Sequence, residues 1–272
     1  MRIINPIIAG SRPAERVIKA AHQILVKTDN AGTSTDTQFT LPATGTYTVN
    51  WGDGTVEEKT DAATHTYDVA GEYVITITGG LTAITFNNGG DKLKLLEIQN
   101  WGDVVWSTFA SAWYGCSNMD ITATDLPNSS NVTTFASAWQ DCSSLTSFPL
   151  LDSSNVTSFA RAWRDCSSLT SFPLLDSSKV TTFASAWQDC SSLTSFPLLS
   201  FTKMTNGVSC FFGVTLPTET WSQLLINTEA TNQNNNVQWH GGSSKYNAAG
   251  GVARAALVAD HTWSITDGGL ES

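Results

Sequence analysis

Catalysis or metal binding needs acids, bases or thiols in a unique arrangement, and this sequence offers few. Its histidines, His22, His65, His240 and His261, lie in different stretches. None has the i, i+4 partner of a zinc-binding helix or an obvious nucleophile partner. Five cysteines fall at Cys116, Cys142, Cys166, Cys190 and Cys210, with gaps of 26, 24, 24 and 20. An odd set with no C-x-x-C spacing is neither a metal pattern nor a closed disulfide framework; it marks a repeat that uses Cys as a small buried hydrophobe. Asp141 and Asp165, one period apart, suggest a glycosidase pair. Asp189 supplies the same group again, however, and such a pair needs two carboxylates in contrasting environments. Asp53 in WGDGT is either a cation ligand or, the reading preferred here, a turn residue bonding its own backbone. No G-x-S-x-G, P-loop or G-x-G-x-x-G run occurs. The expectation is a protein that is not an enzyme and uses no cofactor and no metal.

The elements that carry these residues repeat. From Asn131 the chain reads NVTTFASAWQDCSSLTSFPLLDSS, NVTSFARAWRDCSSLTSFPLLDSS and KVTTFASAWQDCSSLTSFPLLSFT, a period of 24. A divergent unit precedes these three, and a decayed one follows from Met204, in which Cys210 lines up with Ala186. Such a period predicts a solenoid whose units bury their apolar faces on one another. The expected core is Val132, Phe135, Trp139, Cys142, Leu145 and Phe148; then Val156, Phe159, Trp163, Cys166, Leu169 and Phe172; then Val180, Phe183, Trp187, Cys190, Leu193 and Phe196. Leu150 completes an L-x-x-L-x-L spacing with Leu145 and Phe148. Phe135 and Trp139 are four apart, which predicts a helical turn or two per unit. Pro149, Pro173 and Pro197 sit where a strand belongs and interrupt its pairing.

The outer units are identical at all 20 positions from Val132 to Leu151 and from Val180 to Leu199. The middle one differs at Ser158, Arg161 and Arg164. The polar columns are Ser137, Arg161 and Ser185; Gln140, Arg164 and Gln188; and Asp141, Asp165 and Asp189. They are the expected exposed positions, either tuning a contact patch or varying neutrally on a solvated face.

AWxxCSSLTSFPLLDSSNVT resembles the BspA-type leucine-rich repeat, with Trp, Phe and FPLL where that pattern has Phe, Met and LDLS. The resemblance covers roughly residues 100–215. Before it, TYTVNWGDGT and EYVITIT alternate as strands around Gly turns and resemble a PKD-like β-sandwich. After it, LPTETWSQLLIN, with Thr218 as N-cap, and SSKYNAAGGVARAALVADH read as helices, and VQWHGG and TWSITDGG as strands. This tail resembles the module that closes BspA-type proteins of bacteriophages and prophages. At the start, Val17, Ile18, Ala21, Ile24 and Leu25 make one stripe of a helix over Ala14–Leu25, packed on its own domain or docked on another subunit. The predicted fold is therefore mainly β with short helices: an attachment segment (1–28), a PKD-like β-sandwich (29–80), a leucine-rich-repeat solenoid (81–215) and an α/β cap (216–272).

Composition sets the partners. Thirty Ser and 36 Thr in 272 residues make a hydroxyl-rich surface, and the net charge of −10 disfavours nucleic acid. No apolar run is long enough for membrane insertion, and no secretory leader is read in MRIINPIIAGSRPAERV. Free thiols and a cytoplasmic origin, together with what the resemblance implies, predict a phage virion protein: a tail fibre, tail tip or head appendage that attaches to the host surface. Its expected partners are other virion proteins through the N-terminal segment, a host receptor (glycan or protein), and further copies of itself as a homo-oligomer. A bacterial surface adhesin and a purely structural decoration protein are the alternatives.

Overall fold

The computed structural model describes residues 20–232 and 234–272. Among these the chain is mainly β, with two α-helices. The first half carries β1 (His22–Lys27), β2 (Gln38–Leu41), β3 (Ala43–Asn50), β4 (Val56–Thr60), β5 (Ala63–Thr66), β6 (Glu72–Ile84), β7 (Leu95–Asn100) and β8 (Asp120–Ile121). Six of them make one sheet in the order β4-β3-β6-β1-β7-β8, and β2 pairs with β5. Phe39, Leu41, Tyr47, Val49, Ile75 and Ile77 point from both sheets into one core.

Along β1, His22, Ile24 and Val26 are buried and alternate with half-buried Gln23, Leu25 and Lys27, the period of a strand with one covered face. This corrects the helix expected over Ala14–Leu25 wherever the described residues reach. Residues 1–19, and the attachment role expected of them, lie outside the described residues. β1 pairs antiparallel with β6 on one side and β7 on the other, so from His22 onward the chain is an inner strand. Gly102, at φ +63°, lets the 101–103 turn lie against Ala21, whose carbonyl carbon a Cβ there would meet at 2.5 Å. The loop after β1 is pinned by two buried charges. Asp91 accepts from the Ser34 and Thr40 amides (3.0 and 2.7 Å), and Lys94 donates to the Thr35 and Gln38 carbonyls (2.7 and 2.8 Å).

From Trp106 the 24-residue units lie on one another as coils. Val132, Phe135, Trp139, Cys142, Leu145 and Phe148, and their equivalents one and two periods later, are all buried. The FASAW segment is a run of turns instead of a helix. Ser137 and Asp141, like Arg161, Asp165, Ser185 and Asp189, hold left-handed backbone at φ 54–61°, which ends helical propagation. The gain is inter-coil bonding. Amides of Phe135, Ser137, Trp139 and Asp141 donate to carbonyls of Ser158, Ala160, Ala162 and Arg164 on the next coil, at 2.8–2.9 Å. Those of Ala138 and Cys142 close local turns onto Phe135 and Trp139. A regular helix would keep every amide inside its own coil. Beyond the prolines the strand is equally interrupted: Leu151, Leu175 and Leu199 turn inward, while Leu150, which completes the L-x-x-L-x-L spacing in sequence, is 56% exposed.

The rings stack in register. Trp139 lies on Trp163 (5.8 Å, 3°) and Trp163 on Trp187 (5.5 Å, 6°), with Phe148, Phe172 and Phe196 as a parallel column. Cys142, Cys166 and Cys190 are free and buried, and each thiol donates to the carbonyl of a Trp in an earlier coil (2.9–3.1 Å). Phe211 ends the Trp column against Trp187 (5.3 Å). The tail then covers the last coil through α1 (Thr218–Thr231), β9 (Gln238–His240), α2 (Ala248–His261) and β10 (Ser264–Thr266). Pro217 rather than Thr218 is the N-cap of α1, and Trp221, Leu224 and Leu225 are buried beneath it.

His22 has an acid-sensitive position. It is packed between Trp101 and Trp106 with neither ring nitrogen hydrogen-bonded. Burial brings its pKa down to about 4, against weaker opposing pulls from nearby carbonyls and Asp125. The unfolded chain therefore binds the proton more readily between pH 6.5 and 4. The stability due to neutral His22 is complete above pH 6.5 and declines as pH falls to 4, by about 3 kcal/mol in all. Urea midpoints of the wild type should fall across that window, and those of His22→Phe should fall markedly less; parallel curves would contradict the assignment.

Candidate functional site

The polar columns lie along one line of the stack, but they are less open than expected. Arg161 alone is exposed; Ser137, Ser185, Arg164, Gln188, Asp141, Asp165 and Asp189 are half-buried, and Gln140 is buried at 7% exposure. The residue type of the Asp column follows from backbone geometry. The Asp column continues at both ends as glycine, Gly115 at φ +85° and Gly213 at φ +76°. Every coil thus needs positive φ at that corner, which Gly, and Asp among side-chain residues, adopt at least cost.

The column is also an electrostatic unit. Arg164 Nε meets Asp165 Oδ2 at 3.0 Å, and Gln188 Nε2 donates to Asp189 Oδ2 at 3.1 Å. Asp141 lies beside Asp165; burial first, then that neighbouring carboxylate, raises its carboxyl above the usual range. Among the described residues, no group of three or more His, Cys, Asp or Glu is placed to hold a metal ion.

The scattered histidines stay apart. His65 Nε2 meets Asp53 Oδ2 at 2.7 Å and its ring stacks on Trp51, while Asp53 Oδ1 accepts the Thr55 amide at 2.8 Å. That is the turn role expected of Asp53, with an aromatic brace added. His240 lines a shallow groove of about 210 Å3 with Gln238, Ser264 and Thr266. His261 lies 3.3 Å from the Asn235 side-chain oxygen.

A second column was missed. Leu126, Leu150, Leu174 and Leu198 recur every 24 residues and are 55, 56, 61 and 45% exposed. Leu150, Leu174 and Leu198 each follow a proline that breaks strand alternation, while Leu126 precedes Pro127, so facing could not be read from spacing; the repetition itself was the available signal. On another edge, Thr133, Thr157, Thr181 and Thr205 are exposed, and the last three hydroxyls donate to the carbonyl of the preceding Thr at 3.1–3.3 Å. The stack therefore presents an apolar ridge and a hydroxyl ladder, each spaced by one coil.

No family model, curated protein or solved structure matches this chain. Among the described residues, no helix is long and apolar enough to cross a membrane.

The raised carboxyl gives a test. A proton held more tightly in the folded state means stability is fullest in acid and is lost as pH rises through the folded pKa. Asp141→Asn removes that loss, so its melting temperature should exceed the wild type's at pH 7, with the gap closing near pH 3, below the ordinary carboxylate range of about 4. A gap independent of pH would assign the gain to backbone preference alone.

Proposed function

We propose that the protein is a virion appendage that attaches to a host surface through a BspA-like leucine-rich-repeat solenoid. In this reading, the first-half β domain is a PKD-like spacer and the tail an α/β cap. The observation that carries it is the regular outer wall: one leucine, threonine or aspartate per coil, repeated at the coil spacing. Such a wall gives many weak, equivalent contacts rather than one deep site, and display in several copies converts them into firm attachment. The ten tryptophans are all buried, so this reading assigns contact to the leucine ridge and hydroxyl ladder rather than to aromatic platforms.

Labelled protein should bind host cells saturably and compete with particle adsorption. Replacing Leu150, Leu174 and Leu198 together by Ser should weaken binding at least about tenfold, some 1.4 kcal/mol, while leaving the fold intact, because all three side chains are exposed. Absence of cell binding, with particles that become fragile when the protein is removed, would establish structural decoration instead. Location on the bacterial envelope in cells that make no particles would establish the adhesin.

A further inference from the structure

The last coil changes one of its polar columns. Phe212 stands one period after Gln188, in the column of Gln140 and Arg164, and is 49% exposed. No other Phe, Tyr or Trp among the described residues is exposed, and the open half of this ring adds no burial to the fold. What it adjoins is a trough. The 206–209 segment, β9 and β10 lie side by side, with Trp239 bridged to Gly207 and paired with Ile265. Those three residues are buried, and Val208, Gln238, His240, Ser264 and Thr266 alternate with them on the outward face. The groove of about 210 Å3 lies over that face. A second, of about 260 Å3, adjoins it through Val208 and Gln238 and reaches Thr205, the last rung of the hydroxyl ladder. The Phe212 amide donates to the Ser209 carbonyl at 3.2 Å, and its ring meets that of His240 edge-on at 5.5 Å.

The polar groups of the trough are free for a ligand. Main-chain groups of Gln238, Ser264 and Thr266 are spent on the sheet and its turns, which leaves a carboxamide and two hydroxyls outward. His240 Nδ1 accepts the Gly242 amide at 3.0 Å, so the ring proton sits on Nε2 as a donor. Burial first holds the His240 pKa below its usual value, against a weaker pull from Asp267. No Asp, Glu, Lys or Arg lines either groove.

We propose that this trough binds a short neutral saccharide, with Phe212 as its stacking platform. A sugar ring has an apolar C–H face, which packs on an aromatic ring. Around that face stand hydroxyls that both donate and accept, matching a carboxamide, two hydroxyls and a neutral imidazole. The lining offers no cation to a phosphate or an acidic sugar. A peptide adding to the sheet would use main-chain bonds along a strand edge, whereas this trough crosses the strands and presents side chains. Because it is shallow, a single site binds at roughly millimolar strength. The site stands apart from the leucine ridge and does not rest on the virion reading.

The full chain, isotope-labelled for amide NMR, is titrated with maltotriose, cellotriose, mannotriose, galactotriose and chitotriose, each to about 50 mM, which reaches millimolar affinity. At least one should shift the amides of Ser209, Gln238, His240, Ser264 and Thr266 saturably. Phe212→Ala should raise the dissociation constant at least about tenfold with an unchanged melting temperature, Gln238→Ala should also raise it, and Phe212→Tyr, which keeps the ring, should retain binding. Replacing Leu150, Leu174 and Leu198 by Ser should leave it unchanged, so a protein that binds saccharide but no host cell supports this site while contradicting host attachment. No shift with any of the five sugars overturns the proposal. So do shifts confined to the repeat wall, or binding indifferent to both alanine variants.

Discussion

The structure depends on register between neighbouring coils. At each FASAW corner the backbone adopts left-handed conformation at two positions four residues apart, and its amides alternate between closing their own turn and reaching the next coil. A shift of one residue would point those amides at no acceptor and would take every ring off its neighbour. The period of 24 is therefore a hydrogen-bonding constraint as well as a packing one. It also explains near-identity between units: whatever fits one coil fits the next.

Register lets the aromatic rings run almost unbroken through the molecule, from His22 and Trp106 through Trp113, Trp139, Trp163, Trp187 and Phe211 to Trp221 and Trp239 in the tail. The arrangement carries a cost. The indole N–H groups of Trp113, Trp139, Trp163 and Trp187 are buried without a hydrogen-bond partner among the described residues, at about 1–3 kcal/mol each. Burial of the ring, for which truncation typically costs about 3–5 kcal/mol, outweighs it. A stack needs its ends closed, and the two ends differ. The six-stranded sheet reaches the first coils through β7 and β8, while α1 and two tryptophans close the last.

Much of this was legible. The inward residues of each coil were readable because the same types recur every 24 positions, and the decayed unit aligned correctly because Cys210 and Phe211 follow Ala186 and Trp187 by one period. What was not legible has specific causes. Phe135 and Trp139 have helical spacing, and nothing about Ser137 announces positive φ; four residues on, the exchange of Asp for Gly at Gly115 and Gly213 hints at it for the Asp column. Leu150 and Leu151 are adjacent and chemically identical, so their opposite facing depends on Pro149. Ile24 and Leu25 fitted a helical stripe that began among residues outside the description, whereas His22, Ile24 and Val26 alternate as a strand. The polar columns are the positions that vary, yet most of their side chains are half-buried, and the Asp column answers to a backbone demand for positive φ, whereas the leucines repeat unchanged and are exposed.

The account stands or falls on the inter-coil amides, because the coils contain little regular secondary structure. Amide hydrogen exchange resolved by residue tests them directly. The amides of Ser137, Trp139 and Asp141, and their equivalents through Asp189, should be protected to a degree comparable with β1 and β6, although they lie in turns. Exchange at the rate of open loops, with protection confined to the first-half sheet and the two helices, would contradict it.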